Sequence, residues 1–440
     1  MHLPISPPFK FITMKKSVLI LLSIIPLAHS LCAQNNIEYY TKNAINNSPL
    51  INDNKNKIIA NQFEVERLKA FYTKPQIGVV ANFMFSPIIT TDNGKTSFVS
   101  NAENATNYYG YDLAYSNGGT YQAMLNVTHP LFNGKRFETA SEQLNIKAQT
   151  AQNNTILSKH DIEKIVTDQY ILCLRDNKQI AFTEAMIKLI EDQKEILKKL
   201  VKSSVYKQSD LVLINIELQN FLAQRSSFRA NYQRDLMDLN ILCGINDTSV
   251  IQLQDIDIAL SSEVSNSMFL EKYRLDSLNL IAQQNTFELK YRPQIKAFAN
   301  TGLNAVYAPT IPNRFGFSGG LSFAYNIFDG NQKALTKEKT KVLEQSISFY
   351  KSNFITQNTV RKSKIASELE SYNNRISIAE QQLNDYELLL NNYKKEIISG
   401  QLSIFSYTTA LKNMALVQRD YALLFSQMQS LINAYNYWNW

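Results

Sequence analysis

Residues 292–330 contain the stretch that decides the fold, RPQIKAFANTGLNAVYAPTIPNRFGFSGGLSFAYNIFDG. Apolar and polar side chains alternate in it with a period of two, as they do in strands that bury one face. The apolar positions of its two predicted strands are Ile295, Ala297, Ala299 and Leu303, and then Phe315, Phe317, Leu321, Phe323, Tyr325 and Ile327. Each strand has about nine to thirteen residues, the length that crosses a bilayer at a tilt.

An earlier part of the chain repeats this plan. Lys74-Pro75-Gln76-Ile77 and Leu131-Phe132-Asn133-Gly134 bracket a first strand pair, as Arg292-Pro293-Gln294-Ile295 and Ile327-Phe328-Asp329-Gly330 bracket the second. The apolar positions of this first pair are Ile77, Val79, Ala81, Phe83 and Phe85, and then Tyr121, Ala123, Leu125 and Val127. We interpret the two copies as a tandem duplication, with repeats at 34–245 and 246–440. The loops inside the pairs, about 86–120 and about 306–314, are predicted to be exposed.

Helices fill most of the remaining sequence. The pattern predicts a helix of about 70 residues from Lys135 to Ser203, roughly 100 Å long at 1.5 Å per residue, and a second from about 210 to 242. Shorter helices are predicted at about 37–72 and about 268–291, and 244–266 is a polar, irregular linker. Residues with 3,4 spacing predict coiled-coil seams. The seams are Leu211, Ile214, Leu218, Phe221, Phe228 and Tyr232; Ile376, Ala379, Leu383, Tyr386, Leu390, Tyr393 and Ile397; and Leu411, Met414, Gln418, Tyr421, Phe425, Met428 and Ile432, with Arg225 and Gln418 as polar exceptions.

The N-terminus predicts export. Lys15 and Lys16 precede an apolar run and then Leu31-Cys32-Ala33, the order of a secretory signal peptide over residues 1–33. A lipid anchor on Cys32 is disfavoured, because Leu31 stands where a small residue belongs. No later run of 18 apolar residues occurs, so no membrane-spanning helix is predicted. The net charge of +7 is spread along the chain, which does not favour a nucleic-acid partner.

No enzyme chemistry is predicted. His129 and His160 stand in neither a metal-ligand nor a nucleophile arrangement. No Gly-rich phosphate loop occurs, so the sequence predicts no catalytic residue, no metal site and no cofactor. Cys173 and Cys243 are interpreted as structural. Whether they bond stays open, because facing helices lie about 8–10 Å apart and a disulfide needs Cα atoms within about 7 Å.

Four amphipathic strands cannot stand alone in a bilayer. An open sheet leaves two edges with about ten unpaired backbone groups, each costing several kcal/mol in hydrocarbon. Several chains must therefore share one barrel, with eight strands from two chains or twelve from three. An eight-stranded barrel is filled by side chains, whereas Ser318, Gly320 and Ser322 suit a wider, wet lumen. These small residues favour three chains.

An export signal, two strand-strand-helix repeats with Pro-led starts, and aromatic-Asn-Gly or aromatic-Asp-Gly ends together resemble the TolC family of outer-membrane efflux and secretion proteins. The resemblance covers the whole mature chain. It implies an α+β membrane protein: a homotrimer whose 12-stranded β-barrel, four strands per protomer, sits in the Gram-negative outer membrane and continues as a periplasmic tunnel of helical hairpins. It also implies a passive exit duct for tripartite efflux or type I secretion, with a periplasmic adaptor and an inner-membrane RND or ABC transporter as partners.

The resemblance places two sites at the hairpin turns. Adaptor docking falls on Ser204, Val205, Tyr206, Ser209, Asp210, Gly400, Gln401 and Ser403, and the periplasmic aperture on Asp210, Ser406 and Thr409. The family pattern is a turn Gly followed six residues later by an acid. Each repeat keeps only one of the two, Asp210 in the first and Gly400 in the second. Ser204 and Ser406 take the other two places. A simpler interpretation is that Asp210 and Ser209 only cap the returning helix.

Two other functions compete with a duct. The first is a barrel-anchored periplasmic coiled-coil protein that has a structural or surface-binding role and transports nothing. The second is the adaptor itself, which would have a single helical hairpin and no paired spanning strands. The duplication argues against the adaptor.

Overall fold

The computed structural model describes residues 36–99, 107–109 and 119–440. The predicted signal peptide, Cys32 and part of the loop at about 86–120 lie outside these residues. The helices are α1 (Ile37–Asn47), α2 (Pro49–Thr73), α3 (Gly134–Lys202), α4 (Gln208–Cys243), α5 (Leu270–Glu288), α6 (Gln332–Ile398) and α7 (Ile404–Trp438). The strands are β1 (Gln76–Phe85), β2 (Ile88–Thr90), β3 (Ser97–Val99), β4 (Tyr108–Tyr109), β5 (Gly119–Leu131), β6 (Gln294–Ala305) and β7 (Phe315–Ala324).

The four predicted strands form one antiparallel sheet in the order β1-β5-β6-β7. Its register aligns the separately predicted apolar positions in rows, for example Ala81 with Ala123, Ala123 with Leu303, and Leu303 with Phe315. The predicted apolar positions that lie within these four strands therefore share one side, which we name the apolar face. The opposite side, the polar face, includes Gln122, Asn126, Thr128, Lys296, Asn300, Asn304, Ser318 and Ser322. The strand predictions are confirmed by this pairing.

The structure differs from the strand predictions at one end and in one loop. Strand β7 stops at Ala324, short of the predicted Ile327, because Ala324 already pairs with Gln294, the first residue of β6. The preceding residue, Pro293, has no N–H to continue the ladder. The loop predicted at about 86–120 contains a further three-stranded sheet in the order β3-β2-β4. Strands of two or three residues are too short to produce a periodic signal.

The helix predicted at about 37–72 was wrong as a single element, because it consists of α1 and α2. The break falls at Ser48, which has φ −65° and ψ 118°. Pro49 follows, and a proline disfavours helical backbone at the residue before it. The long helices follow the prediction closely: α3 has 69 residues, α4 has 36, α6 has 67 and α7 has 35. Within the described ranges, no helix combines the length and apolar character needed to cross a membrane.

The described chain divides into two compact units. The sheet unit comprises 54–153 and 270–352, and the helical unit comprises 36–53, 154–269 and 353–440. The helical unit has one apolar core beside the hairpin turns, built on Ile190, Leu197, Phe221 and Tyr407. A second core contains Tyr40, Tyr170, Cys173, Tyr232, Leu239 and Cys243. Most of the predicted seam residues in α4, α6 and α7 are buried or half-buried, which confirms their packing role.

Candidate functional site

The apolar face of the sheet is exposed to an unusual degree. Phe317 is 92% exposed, Val79 75% and Leu321 72%. Contiguous apolar surface of this size marks a site that contacts lipid or protein. The two outer strands, β1 and β7, each pair on one side only, which leaves the other edge of each strand without a backbone partner among the described residues.

Two glycines make room for close neighbours within the sheet. Gly302 in β6 has φ +151°, and a Cβ there would lie 2.2 Å from the Ala123 carbonyl oxygen of β5. Gly320 in β7 makes room for the Phe298 ring, which would lie 3.0 Å from a Cβ. The Phe298 ring therefore packs against Gly320 on the polar face. The polar face is otherwise formed largely by amides and hydroxyls.

The first hairpin turn follows α3 and is closed by backbone hydrogen bonds. Ser204 has φ 60°, the left-handed conformation that usually requires glycine. The Ser204 N–H donates to the Val201 carbonyl at 3.0 Å, and the Val205 N–H donates to the Leu200 carbonyl at 2.9 Å. These two bonds define a Schellman motif at the end of the helix.

The second turn repeats this geometry after α6. Gly400 has φ 74°, its N–H donates to the Ile397 carbonyl at 3.0 Å, and the Gln401 N–H donates to the Glu396 carbonyl at 2.9 Å. Ser204 thus takes the same backbone conformation as Gly400, although its side chain disfavours it. The correspondence of Ser204 with Gly400, inferred from the sequence, holds at the level of individual hydrogen bonds.

The two turns contact each other. The Tyr206 hydroxyl donates to the Leu402 carbonyl at 2.6 Å. A Cβ on Gly400 would lie 2.9 Å from Val205 Cγ1, so the backbone of the second turn lies directly against the first. Burial and the nearby Asp210 carboxylate raise the pKa of Tyr206, which keeps the hydroxyl protonated as a donor.

Each returning helix has its own cap. The Asp210 carboxylate accepts from the Lys207 N–H at 2.9 Å and so closes the first turn of α4. The Ser403 hydroxyl accepts from the Phe405 N–H at 3.2 Å at the start of α7. The capping role proposed for Asp210 is therefore present. For Ser209, which is exposed, no capping bond is recorded among the described residues.

Of the predicted aperture residues, Asp210 and Ser406 lie in the first turn of the returning helices and Thr409 in the second. The Asp210 and Ser406 amides donate to the Lys207 and Ser403 carbonyls at 3.1 and 3.0 Å, which places these two residues at equivalent positions. Both are half-buried. Thr409 is exposed, and its hydroxyl donates to the Phe405 carbonyl of its own helix at 2.8 Å. Of Asp210, Ser406 and Thr409, only Asp210 carries a charge.

Sequence reasoning missed how the linker at 244–266 is held. Gln429 accepts from the Ile258 N–H at 2.8 Å and donates to Asp257 at 3.0 Å. Asn436 accepts from Ser261 N–H and donates to the Ala259 carbonyl, at 2.8 and 2.9 Å. Asn439 binds the next part of the linker in the same way. The signal was available, because amide side chains recur toward the end of α7 and at the residue that follows it.

One of the two polar exceptions in the seams borders a cavity. Gln418 lines a space of about 590 Å³ between α3, α4 and α7. Glu217, which is 3% exposed, forms an ion pair with Lys412 at 2.9 Å on the same wall. Arg225 is half-buried nearby in sequence. Polar groups at this level interrupt the apolar packing of the helices.

The two cysteines are buried free thiols. Burial raises the pKa of Cys243 to about 12, and burial together with the Asp235 and Asp176 carboxylates raises the pKa of Cys173. A thiol with a raised pKa is a poor nucleophile. Among the described residues, no group of three or more His, Cys, Asp and Glu side chains could hold a metal ion.

Solved structures of several outer-membrane channels are similar to this chain in fold. The outer membrane protein VceC from Vibrio cholerae matches 92% of this chain and 96% of its own, with a TM-score of 0.65 and 14% identity. The chain has the fold of the TolC-like outer-membrane channels. The transmembrane-channel protein CusC matches 91% of both chains, with a TM-score of 0.66 and 11% identity. The MtrE outer membrane channel of Neisseria gonorrhoeae matches 92% of this chain and 88% of its own, with a TM-score of 0.63 and 10% identity.

No protein-family model matches the sequence, and no curated protein matches it. The likeness to TolC-like channels is therefore one of fold. It accounts for the strand pairs and the long hairpins together, and it confirms the fold class expected from the sequence.

Proposed function

We propose that this protein is one protomer of a trimeric outer-membrane duct, through which a tripartite efflux or type I secretion system discharges its cargo. The observation that carries the proposal is the four-stranded sheet with one exposed apolar face, one polar face and two unpaired edges. The apolar face suits lipid, and the polar face suits water.

The edges favour closure by further copies of the same chain. Strands β1 and β7 run in opposite directions, because four strands alternate along the sheet. Strand β7 of one protomer can therefore pair antiparallel with β1 of the next, in a head-to-tail ring. Closure removes both edges, each of which would otherwise cost several kcal/mol per orphan group in lipid.

The polar face favours three protomers over two. Gly316, Ser318, Gly320 and Ser322 present small side chains or none on the β7 part of this face. An eight-stranded barrel needs bulky interior side chains to fill it, whereas a wider barrel can hold water. The small residues suit the twelve-stranded ring.

Helix α6 supplies a second surface for neighbouring copies. Leu335, Val342 and Phe349 recur every seven residues on its sheet-unit portion and are 66%, 58% and 74% exposed. A heptad stripe of this kind packs into a partner helix. The single chain leaves this stripe uncovered, and an adjacent protomer would bury it.

The paired hairpin turns are the proposed docking surface for a periplasmic adaptor, which would connect the duct to an inner-membrane RND or ABC transporter. Val205 and Phe405 expose 49% and 66% of their surface at these turns. Ser204, Tyr206, Ser209, Gln401 and Ser403 surround them, and Asp210, Ser406 and Thr409 are the proposed aperture residues. Apolar side chains ringed by polar groups are typical of a protein interface.

The duct is tested with the full chain purified in detergent. Mass measurement of the protein–detergent complex should give three chains, and the same sample should conduct ions in a planar bilayer. A trimer that stays silent would support the barrel-anchored structural role instead. A monomer that remains soluble without detergent would overturn the proposal.

Docking is tested separately by Val205→Arg in a host lacking its own copy. Resistance to toxic compounds should fall while trimer formation is unchanged. The matched control is Ile241→Arg, at a residue 75% exposed near the other end of α4. Equal effects of both substitutions would contradict docking at the turns.

A further inference from the structure

The four-stranded sheet contains one formally charged side chain, Lys296 in β6. The sequences of β1, β5, β6 and β7 have no Asp, Glu or Arg and no second Lys. Lys296 lies on the polar face, where it pairs across the sheet with Ser322 of β7. Lys296 therefore carries the one formal charge that the four strands place on this face.

The surroundings of Lys296 do not neutralise it. It is exposed, and no ion pair of Lys296 is recorded among the described residues. It borders a cavity of about 250 Å³ whose described lining includes Arg136 and no carboxylate. The Arg136 guanidinium, 8% exposed, donates to the carbonyl oxygens of Arg292 and Pro293, both neutral acceptors. Two cations thus meet at this end of the sheet without an acidic partner.

The remaining polar-face side chains have no preferred sign. Gln122, Asn126, Asn300 and Ser318 are amides and a hydroxyl, which donate and accept hydrogen bonds equally well. A passing cation or anion can be solvated by either end of these groups. Among the exposed side chains of this face, Lys296 is consequently the one that can discriminate between solutes by charge.

We propose that Lys296 is a selectivity-determining residue, and that three copies form a ring of ammonium groups at the helix-proximal end of the barrel, which favours anionic over cationic solutes. The proposal rests on the trimeric duct proposed above. Rings of like charge select ions of opposite sign in a confined, water-filled passage. The solute class is defined by charge: organic or inorganic anions pass this level more readily than cations of similar size.

The first test measures ion selectivity of the purified trimer in a planar bilayer under a potassium chloride gradient. Lys296→Gln should move the reversal potential toward cation preference, Lys296→Glu should move it further, and Lys296→Arg should leave it near the wild-type value. Conducting trimers with the same reversal potential in all four proteins would overturn the inference and leave the duct intact. Silent trimers would overturn the duct and the inference with it.

A second test needs no conduction. Ser322→Cys places a thiol directly across from Lys296, with Cβ atoms about 5 Å apart in such pairs, while Cys173 and Cys243 are buried. The rates of modification by an anionic and by a cationic methanethiosulfonate are compared with and without Lys296→Gln. At about 6 Å in water, one charge changes each rate about threefold in opposite directions, so the anion-to-cation ratio should fall about tenfold. An unchanged ratio would contradict the inference.

Discussion

Exchanging the residues at the two left-handed turn positions should change the stability of the two turns in opposite directions. Ser204 and Gly400 have φ values of 60° and 74°. A left-handed non-glycine residue costs about 1–2 kcal/mol, and the extra backbone entropy that glycine loses on folding offsets about 0.5–1 kcal/mol of this. Ser204→Gly should therefore stabilise its turn by about 0.5–1 kcal/mol. Gly400→Ser should destabilise its turn by about 1–2 kcal/mol, because its Cβ would also lie 2.9 Å from Val205 Cγ1.

Hydrogen exchange on the full chain in detergent measures both effects locally. The reporters are the Val205 and Gln401 amides, whose hydrogen bonds close the two turns. Exchange through local opening changes about tenfold for every 1.4 kcal/mol. Ser204→Gly should slow the Val205 amide about two- to fivefold, and Gly400→Ser should accelerate the Gln401 amide about five- to thirtyfold.

Ser203→Gly is the matched control. Its position lies beside Ser204 but is not among the left-handed residues of the described chain, and its hydroxyl donates to the Lys199 and Leu200 carbonyls. Glycine there loses entropy and relieves no strain, so exchange should accelerate. The reasoning is refuted if Ser204→Gly fails to slow exchange, or if Ser203→Gly slows it as much.

Three further substitutions test the sheet and the helical cores. Gly302→Ala should prevent the sheet from folding, because the new Cβ would meet the Ala123 carbonyl oxygen. The measurement is heat-modifiable electrophoretic mobility, which should be lost. The control, Gly316→Ala, should fold normally, because Gly316 is paired with Gly302 and has open space beside it. Tyr407→Phe should raise the thermal midpoint and stabilise by about 1–3 kcal/mol, since this fully buried hydroxyl has no recorded partner; no gain would contradict that. Burial raises the pKa of the Asp176 carboxyl above its value in the unfolded chain. The free energy of unfolding should therefore fall as the pH rises from the unfolded pKa to the folded pKa of this group. Asp176→Asn should then be more stable than wild type at pH 8, with a difference that shrinks on acidification; a difference independent of pH would contradict this reasoning.

The sheet was predictable because period-two alternation is unambiguous in strands of ten or more residues. Positions such as Val79 and Phe317 were assigned to apolar faces separately, and the register places them on the same side. The pairing of β5 with β6, which joins the two repeats, could not be predicted from alternation. It depends on residues far apart in sequence, such as Leu125 and Thr301.

The hairpin turns were predictable in position and only partly in chemistry. Their location followed from the ends of the long seams, and the equivalence of Ser204 with Gly400 followed from aligning the repeats. The contact between the turns did not follow, because the Tyr206 hydroxyl binds a backbone carbonyl. Every residue has a backbone carbonyl, so the residue type at the acceptor position does not predict such a bond.

The linker is irregular as predicted, but the way it is held was not predictable for a related reason. Its backbone bonds are made by side chains of α7, with Gln429 and Asn436 each both donating and accepting. Secondary-structure patterns describe how backbone pairs with backbone, so a segment bound by side-chain amides produces no periodic signal. The amides themselves were the available clue.

The direction of the strands has a consequence for how the protein reaches its membrane. One end of the sheet holds the starts of β1 and β6, at Gln76 and Gln294, and the ends of β5 and β7, at Leu131 and Ala324. If the sheet inserts as proposed, only the two inter-strand loops must be pushed through the lipid. The long helices stay on the side from which the chain arrived, so insertion moves only the residues between Phe85 and Gly119 and between Ala305 and Phe315 of each subunit across the bilayer. The bulk of the polypeptide stays in water.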